Sequence, residues 1–265
     1  MGGQQERARA LLQGLTKKRH IIFVEKGNAA IKQALRLAKE RGRTALLIPD
    51  QGGWLTYPRF GKQLGFTVKE ILTDRSYITP EMIQGDATTV LLLNSMPAYA
   101  FTIPVADIAK KCEEKNVLFI NDVSATIGAP EATYGDIIIG SCNRWKPLPL
   151  GKGGFIATDY FLEQEEPSLD YAKLVQLLET LPERCTKAFH AANKLKLFLE
   201  KYDIIRSDHK GYNVIVACKE EEKERLINLV KDFDASIEHT DCPRYIRVLE
   251  PGISFEIKRR FNDGV

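Results

Sequence analysis

Short apolar runs alternate with amphipathic helical segments through the first two-thirds of this 265-residue chain. The runs at residues 89–93 and 117–121 are apolar on both faces, and a helix is predicted between them at about 104–115. Strands that are apolar on both faces and joined by helices are typical of a parallel sheet covered on both sides. The chain is therefore predicted to have an α/β fold with a large, mostly parallel, doubly covered sheet.

The other segments of this region extend the same pattern. A helix at about 29–41 has its apolar residues at helical spacing, and Gly42 is a common residue at a helix end. Further helices are predicted at 54–64 and directly after Thr79, where a proline suits the first helical position. The remaining predicted strands are 20–24, 44–48, 66–72, 136–140 and 154–158.

The chain changes character after residues 163–168, a charged stretch interrupted by Pro167 and predicted to be a linker. We expect a large domain at 1–165 and a small α+β domain with its connecting helix at 166–265. The second part is predicted to begin with a long helical stretch at about 171–201. It continues with strands at 213–218, 236–238, 245–249 and 254–257 and with a helix at 220–232.

Composition limits the classes of function. The chain is 44% hydrophobic, enough for a full core, and its net charge is +3 from 38 basic and 35 acidic residues. That balance argues against nucleic-acid binding through a basic surface. Five cysteines without a C-x-x-C pair and four scattered histidines indicate neither a disulfide framework nor a metal site. The sequence shows no apolar signal core and no membrane-length run, so we expect a soluble cytoplasmic protein without membrane contact.

A polar loop at residues 141–154 places Lys146 among prolines and before a glycine cluster that leads into an apolar strand. Asp122 lies at the end of an earlier strand-like run. Enzymes that depend on pyridoxal phosphate (PLP) arrange their two essential cofactor contacts in this order. We predict that Lys146 forms a Schiff base with PLP, which requires a neutral amine and hence a lowered pKa. Desolvation or neighbouring cations can lower this pKa, and Arg144, Lys152 and the surroundings of the bound cofactor are expected to contribute; the alternative is a solvated surface lysine.

Asp122 is predicted to hydrogen-bond the pyridine nitrogen of PLP and to keep that nitrogen protonated. The alternative is an aspartate that caps the turn at residues 124–126. Ligands of open α/β sheets bind at the carboxyl ends of the strands. Because Gly27, Asp50 and Lys146 also follow strand-like runs, we expect them to meet Asp122 at one edge of the sheet.

The phosphate of PLP is assigned to a helix start. Gly27, Asn28 and Ala29 open a helix directly after a strand, where free backbone N–H groups can bind a phosphate. Ser141 is the predicted hydroxyl donor to the same phosphate. The alternative is an ordinary loop glycine followed by a capping asparagine.

The pyridine ring and the substrate are each assigned one side chain. Trp54, or else Tyr57, is predicted to stack on the ring. Arg247, or else Arg244, is predicted to bind a substrate carboxylate through two guanidinium nitrogens. A core aromatic residue and a solvent-facing strand arginine are the alternatives.

Several of these segments lie in the order and spacing of a known family. Residues 26–31 are similar to its Gly-Thr-x-Ala-Leu element, and residues 122–129 resemble its Asp-x-Ala-Gln-x-Leu-Gly-Ala element. Ser141, Lys146 and the glycines of 151–154 keep its order. Residues 20–160 therefore resemble the fold-type I PLP enzymes, most closely the DegT-like aminotransferases, many of which act on nucleotide sugars. The resemblance implies a PLP-transferase-like large domain, PLP as cofactor, an amino donor and an oxo acceptor as small-molecule partners, and a homodimer.

The chain also departs from that family. Ala125 stands where the family has glutamine or histidine, Asn28 replaces a phosphate-binding threonine, and the Asn-Tyr-Arg segment has no counterpart after Gly154. The leading hypothesis is a PLP-dependent aminotransferase. A PLP-dependent lyase or desulfurase with Cys218 or Cys242 as the thiol is one alternative, and a non-catalytic cofactor-binding or dimerisation scaffold is the other.

Overall fold

The structure, a computed structural model, describes residues 2–161 and 166–263. Its first part is built on a seven-stranded sheet in the order β1-β7-β6-β5-β4-β2-β3. The neighbours from β3 through β6 are parallel, whereas β7 is antiparallel to both β6 and β1. The strands are β1 His20–Val24, β2 Ala45–Pro49, β3 Thr67–Ile71, β4 Thr89–Asn94, β5 Leu118–Asp122, β6 Ile137–Ser141 and β7 Gly154–Thr158. The predicted mostly parallel sheet is confirmed.

Helices cover both faces of this sheet, as the two-sided apolar strands predict. The helices are α1 Gly2–Thr16, α2 Gly27–Glu40, α3 Thr56–Gln63 and α4 Val105–Glu114. In β4, Val90 and Leu92 pack in the cluster that contains α2 and α3. Leu91 and Leu93 pack on the opposite face with α4. The alternation of side chains along a strand therefore divides one apolar run between two cores.

The first helix, α1, was not predicted from the sequence. Ala8 and Leu12 lie four residues apart on one face and are completely buried against the sheet. The rest of the helix is largely charged and polar, which hides this narrow apolar stripe in the sequence.

The second part is a four-stranded antiparallel sheet in the order β10-β11-β9-β8, with helices packed on it, which is the predicted α+β arrangement. Its elements are α5 Tyr171–Glu179, α6 Leu181–Phe198, β8 Asp203–Ile204, β9 Val214–Ala217, α7 Glu220–Phe233, β10 His239–Cys242 and β11 Gly252–Phe255. Leu195 of α6 and Leu226 of α7 share a core with this sheet.

Three predicted elements of this part are wrong in detail. The long helix at 171–201 is two helices, because Pro182 lies in the first turn of α6 and has no N–H for a continuous helix. The strand predicted at 236–238 begins only at His239, since the Asp234 carboxylate accepts the backbone N–H of Ser236 and forms a turn there. The strand predicted at 245–249 is a turn instead.

That turn closes on the large sheet. The Arg247 N–H donates to the carbonyl of Arg244, and the Arg244 N–H donates to that of Val248. The Tyr245 carbonyl in turn accepts the N–H of Gly52, which follows β2. The segment therefore bonds to itself and to a loop of the first part rather than to a neighbouring strand.

The boundary between the two parts stays a prediction. Residues 162–165, which include half of the predicted linker, lie outside the described residues. Leu174 and Leu178 of α5 pack in the same core as α1, so the first helix after the boundary lies against the large sheet. Over the described ranges, no helix is long and apolar enough to cross a membrane.

Candidate functional site

A cavity of about 450 Å³ lies at the carboxyl ends of β4, β5 and β6. Gly27, Asp122 and Lys146 line it together, as the rule for strand ends predicts. Asp50 does not line it. The Asp50 carboxylate instead accepts hydrogen bonds from the backbone N–H and the hydroxyl of Thr73. The other wall of the cavity comes from β10, from the turn between β10 and β11, and from the residues that follow β11.

Both oxygens of the buried Asp122 carboxylate have protein partners. The Tyr57 hydroxyl donates to Oδ2 at 2.6 Å, and the Ser124 N–H donates to Oδ1 at 2.9 Å. Burial, followed by the negative charge of Asp122, raises the pKa of Tyr57 well above its usual value, so Tyr57 remains a neutral donor. The alternative interpretation of Asp122, a cap of the turn at residues 124–126, therefore applies to Oδ1 only. Tyr57 lies in the core against this carboxylate, and not on the cavity wall as a stacking ring would.

Lys146 reaches the cavity from the loop after β6. Its ammonium group donates to the Tyr99 hydroxyl and lies 4.5 Å from the centre of the Tyr99 ring and 5.3 Å from that of Trp54. Burial lowers the pKa of Lys146 to about 8, and the Arg247 charge acts in the same direction. The predicted lowering is therefore present, with burial as its largest cause and Arg247 as the contributing cation.

The two nearby cations expected to contribute, Arg144 and Lys152, are not among the groups that lower this pKa. Arg144 is exposed at the rim of the cavity. The Lys152 amine donates to the carbonyl of Ser168 at 3.2 Å, away from the cavity. The Lys146 environment depends instead on residues distant in sequence.

The start of α2 lies at one end of the cavity. Lys26 occupies the N-cap position and makes no side-chain capping hydrogen bond. A Cβ atom on Gly27 would lie 2.7 Å from the Cβ and 2.9 Å from the hydroxyl oxygen of Ser141, so only glycine allows the helix to begin beside this hydroxyl. Ala29 does not line the cavity, and its N–H donates to the carbonyl of Lys26.

Asn28 holds the side chain of Trp54, an aromatic residue that lines the cavity. Its Oδ1 accepts the indole N–H of Trp54 at 2.8 Å and the hydroxyl of Thr56 at 3.3 Å. Trp54 is 37% exposed and lines the cavity, which is the position required of a stacking ring. The asparagine that departs from the family pattern therefore orients the predicted stacking residue.

The opposite wall carries a buried ion-pair cluster. Arg247, 4% exposed, donates from Nε and Nη2 to the two oxygens of Glu256 at 2.7 and 2.8 Å. The Lys258 amine lies 3.3 Å from Glu256. Burial by itself would raise the pKa of Glu256, but Lys258 and Arg247 more than offset it and lower this pKa to about 2. The predicted Arg247 is therefore bound to Glu256, whereas the alternative Arg244 is exposed at the cavity.

Tyr99, Glu256 and Lys258 are cavity residues that the sequence reasoning missed. Tyr99 follows the carboxyl end of β4 and could have been found by the same strand-end rule as Asp122. Glu256 and Lys258 follow an antiparallel strand that carries no comparable signal.

Neither cysteine of the desulfurase hypothesis lines the cavity. Burial raises the pKa of both Cys218 and Cys242, which disfavours their thiolate forms. Among the residues that the structure describes, no cluster of three or more His, Cys, Asp or Glu side chains is arranged for a metal ion.

Comparison with solved structures shows the fold. A putative sugar aminotransferase from Streptococcus pneumoniae in its PMP form (TM-score 0.74, 11% identity) aligns over 99% of this chain and 89% of its own. Helicobacter pylori PseC, an aminotransferase involved in the biosynthesis of pseudoaminic acid, gives 0.74 and 12% over 98% and 90%. The apo cysteine desulfurase of Thermococcus onnurineus gives 0.71 and 11% over 99% and 83%. The predicted resemblance to fold-type I PLP enzymes is confirmed at the level of the fold.

Comparison by sequence matches a smaller part of the chain. The family described as the MJ1341 family C-terminal domain matches residues 182–260, which is the part that begins with α6. No curated protein matches the chain.

Proposed function

We propose that this chain is a PLP-dependent enzyme of the aminotransferase type, related to the DegT-like family, in which Lys146 binds the cofactor as a Schiff base. The observation that carries the proposal is the meeting of Lys146, Asp122 and the start of α2 in one cavity of a fold shared with PLP enzymes. Fold alone does not imply function, so the proposed function depends on the chemistry of these residues.

The residues present fit PLP at each of its reactive or charged ends. Lys146 supplies a desolvated amine, and Asp122 supplies a carboxylate for the pyridine nitrogen. The uncapped start of α2 and the Ser141 hydroxyl are donors for a phosphate. The cavity of about 450 Å³ is within the usual range of small-molecule sites.

When bound, PLP supplies an electron sink at an amine-bearing carbon. Tyr57 and Ser124 fix the Asp122 carboxylate, and Asn28 fixes the Trp54 ring through its indole N–H. The Tyr99 hydroxyl orients the amine of Lys146, whose Nζ can accept or donate a proton near neutral pH.

Several finer assignments belong to this proposal. Arg244 is the preferred residue for a substrate carboxylate, and the partners are a small-molecule amino donor and an oxo acceptor. We also retain a homodimer, a cytoplasmic location and the division into domains at 1–165 and 166–265.

A non-catalytic scaffold is the second candidate, and one observation favours it. Ala125 is completely buried in a cluster that contains Met96 and Tyr212, so a methyl group occupies the position where the family has glutamine or histidine.

The test is cofactor binding followed by amino exchange. Wild-type protein with PLP is expected to develop visible absorbance, and borohydride reduction followed by peptide mapping should place the added mass on Lys146. In a separate sample that has not been reduced, an amino donor should bleach the band and a 2-oxo acid should restore it. A reduced protein without added mass on Lys146 would refute the cofactor proposal. A stable adduct that no donor bleaches would favour the scaffold.

The phosphate assignment gives a separate prediction. Gly27→Ala introduces a Cβ 2.7 Å from that of Ser141, and crowding of this kind costs about 1–3 kcal/mol. We expect the affinity for PLP to fall about 10- to 100-fold, while the affinity for pyridoxal, which lacks the phosphate, stays within about twofold. Equilibrium titration of both ligands measures the difference. Gly14→Ala is the matched control, because its Cβ would meet nothing within 4 Å. Equal losses for both ligands would indicate general distortion of the cavity.

A further inference from the structure

Arg184, near the start of α6, is a buried cation whose hydrogen-bond acceptors are all neutral. Its side chain is 7% exposed. Nη1 donates to the carbonyl of Pro147 at 2.6 Å, Nη2 to the carbonyl of Leu177 at 2.6 Å, and Nε to the hydroxyl of Thr180 at 3.3 Å. In the part of the chain that the structure describes, no carboxylate acts on this guanidinium. Because a buried cation without a counter-ion is costly, these hydrogen bonds must offset that cost.

Two of the three bonds hold the junction between α5 and α6. Leu177 lies in the last turn of α5, where carbonyl groups have no partner within the helix, and Thr180 lies between the two helices. A cation near the end of a helix is favourable, so these bonds form a helix cap. The bond to Pro147 differs, because its acceptor lies 37 residues earlier in the chain.

The Pro147 carbonyl belongs to the loop that carries Lys146. Pro147 follows Lys146 directly, and neither Pro147 nor Pro149 has an N–H group to tie the loop to a neighbour. The N–H of Gly151 donates to the carbonyl of Cys142 and closes the base of the loop. Arg184 instead bonds to the loop near its middle, one residue from Lys146. It therefore restricts the backbone from which the Lys146 side chain extends.

The same helix supports the acceptor of the Lys146 amine. Ala188 lies four residues after Arg184 on the same face of α6 and is completely buried in a cluster with Tyr99. The Tyr99 hydroxyl accepts the hydrogen bond from the Lys146 amine. Helix α6 thus bonds to the backbone beside Lys146 and packs against the residue that its amine contacts.

We propose that Arg184 is a positioning residue: through the Pro147 carbonyl it holds the loop so that the Lys146 amine stays at the Tyr99 hydroxyl inside the cavity. Arginine suits this role because its planar guanidinium can donate to carbonyl groups of two separate segments at once. The consequence for PLP binding rests on the proposed function, whereas the position of the amine can be measured without a cofactor.

Competitive labelling of the cofactor-free protein measures that position. Trace acetic anhydride is added from about pH 6 to about pH 11, and mass spectrometry gives the titration of each lysine. Burial is the largest cause that lowers the pKa of Lys146 to about 8, and Arg184 is not among the charges that act on it. Those charges, on Asp122, Arg247 and Glu256, are retained in Arg184→Met. A released loop would expose the amine, so we expect this variant to raise the pKa of Lys146 by at least about one unit.

Two control variants separate this role from general stabilisation. Lys196 is also 7% exposed on α6 and donates to the carbonyl of His209, which does not line the cavity. Thr180→Val removes one bond of the helix cap and leaves the Pro147 bond in place. Neither Lys196→Met nor Thr180→Val should change the pKa of Lys146. An unchanged pKa in Arg184→Met, or an equal rise in either control, would overturn the inference.

Hydrogen exchange provides a second measurement and a second variant. Circular dichroism confirms that each protein is folded, and the backbone N–H groups of residues 141–151 are followed by mass spectrometry. Their exchange should be about tenfold faster in Arg184→Met than in the wild type. If that variant does not fold, Arg184→Lys decides, because its single amine must be shared between two carbonyl groups. We expect about threefold faster exchange there, and exchange at the wild-type rate would refute the role of Arg184.

Formation of the PLP adduct supplies a functional readout. The rate at which the Lys146 adduct forms should fall about tenfold in Arg184→Met and stay unchanged in Lys196→Met. Non-covalent affinity for PLP should change by less than about twofold, because Asp122 and the start of α2 are untouched. A normal rate in Arg184→Met would refute the positioning role and leave the proposed function standing. Failure of the wild type to form any adduct would refute the proposed function, and the labelling experiment would still decide the role of Arg184.

Discussion

Replacement of Lys146 by alanine is expected to abolish the covalent adduct with PLP, with complete loss of the visible band and of borohydride-stable mass. No other amine in the described part of the cavity combines Lys146's bond to Tyr99 with its proximity to Trp54. Non-covalent binding should persist at reduced affinity, because Asp122 and the start of α2 are unchanged. Absorbance titration, reduction and intact-protein mass spectrometry measure the loss.

The variant should remain folded. Lys146 has a pKa lowered by burial, so the folded state binds its proton less tightly than the unfolded chain does, and loss of this group removes a cost of folding near neutral pH. Lys152→Ala is the matched control and should retain the full adduct. Retention of an adduct in Lys146→Ala, mapped to Lys258 or Lys26, would show that another cavity lysine binds the cofactor.

Glu256→Ala is expected to lower the free energy of unfolding by about 3–5 kcal/mol, the largest loss among the substitutions proposed for this protein. The substitution leaves the guanidinium of Arg247 and the amine of Lys258 buried without their shared carboxylate. Urea denaturation at neutral pH measures the change in the free energy of unfolding. Glu183→Ala breaks an exposed pair with Lys187 and should cost less than about 1 kcal/mol.

Two further measurements identify the cause of that loss. The pKa of Glu256 is about 2 in the folded protein, below its ordinary value of 4.5, so its contribution is fully present above about pH 4.5 and is lost as the pH falls toward 2. The difference between wild type and Glu256→Ala should shrink across that interval. The double variant Arg247→Met/Glu256→Met should recover much of the stability, because no unpaired guanidinium remains. A double variant less stable than Glu256→Ala would contradict this explanation.

The sequence was most informative where parallel strands end. Asp122 and Lys146 were predicted to meet because each follows a strand-like run, and the alternation of apolar strands and helices placed those strands in one sheet. Tyr57 shows the limit of that reasoning. A buried aromatic residue near a helix start is compatible with stacking on a ligand or with a hydrogen bond to a carboxylate, and only the packing of α3 distinguishes them.

The wall opposite Lys146 could not have been predicted. Arg247 lies in a segment with strand-like alternation of apolar and polar residues. Its backbone N–H nevertheless donates to the carbonyl of Arg244, and this hydrogen bond closes a turn. Its guanidinium partner, Glu256, follows β11, and their contact depends on how β11 pairs with β10. Pairings between antiparallel strands that are set by a long connection leave no local pattern in the sequence. The strand-end rule therefore identified one wall of the cavity and could not identify the other.

The pairing of β1 with β7 has a consequence for how the chain is made. His20 lies opposite Thr158, and the N–H of Gly153 donates to the carbonyl of Glu25. The first strand therefore cannot pair until β7, which leaves the ribosome much later, has been synthesised. Contacts between residues so distant in sequence form late in folding. A nascent chain that ends before β7 would contain Gly27, Asp122 and Lys146 but no cavity. We expect the helix start and the lysine loop to be brought together in the same late step, so that the binding site is one of the last features of this protein to exist.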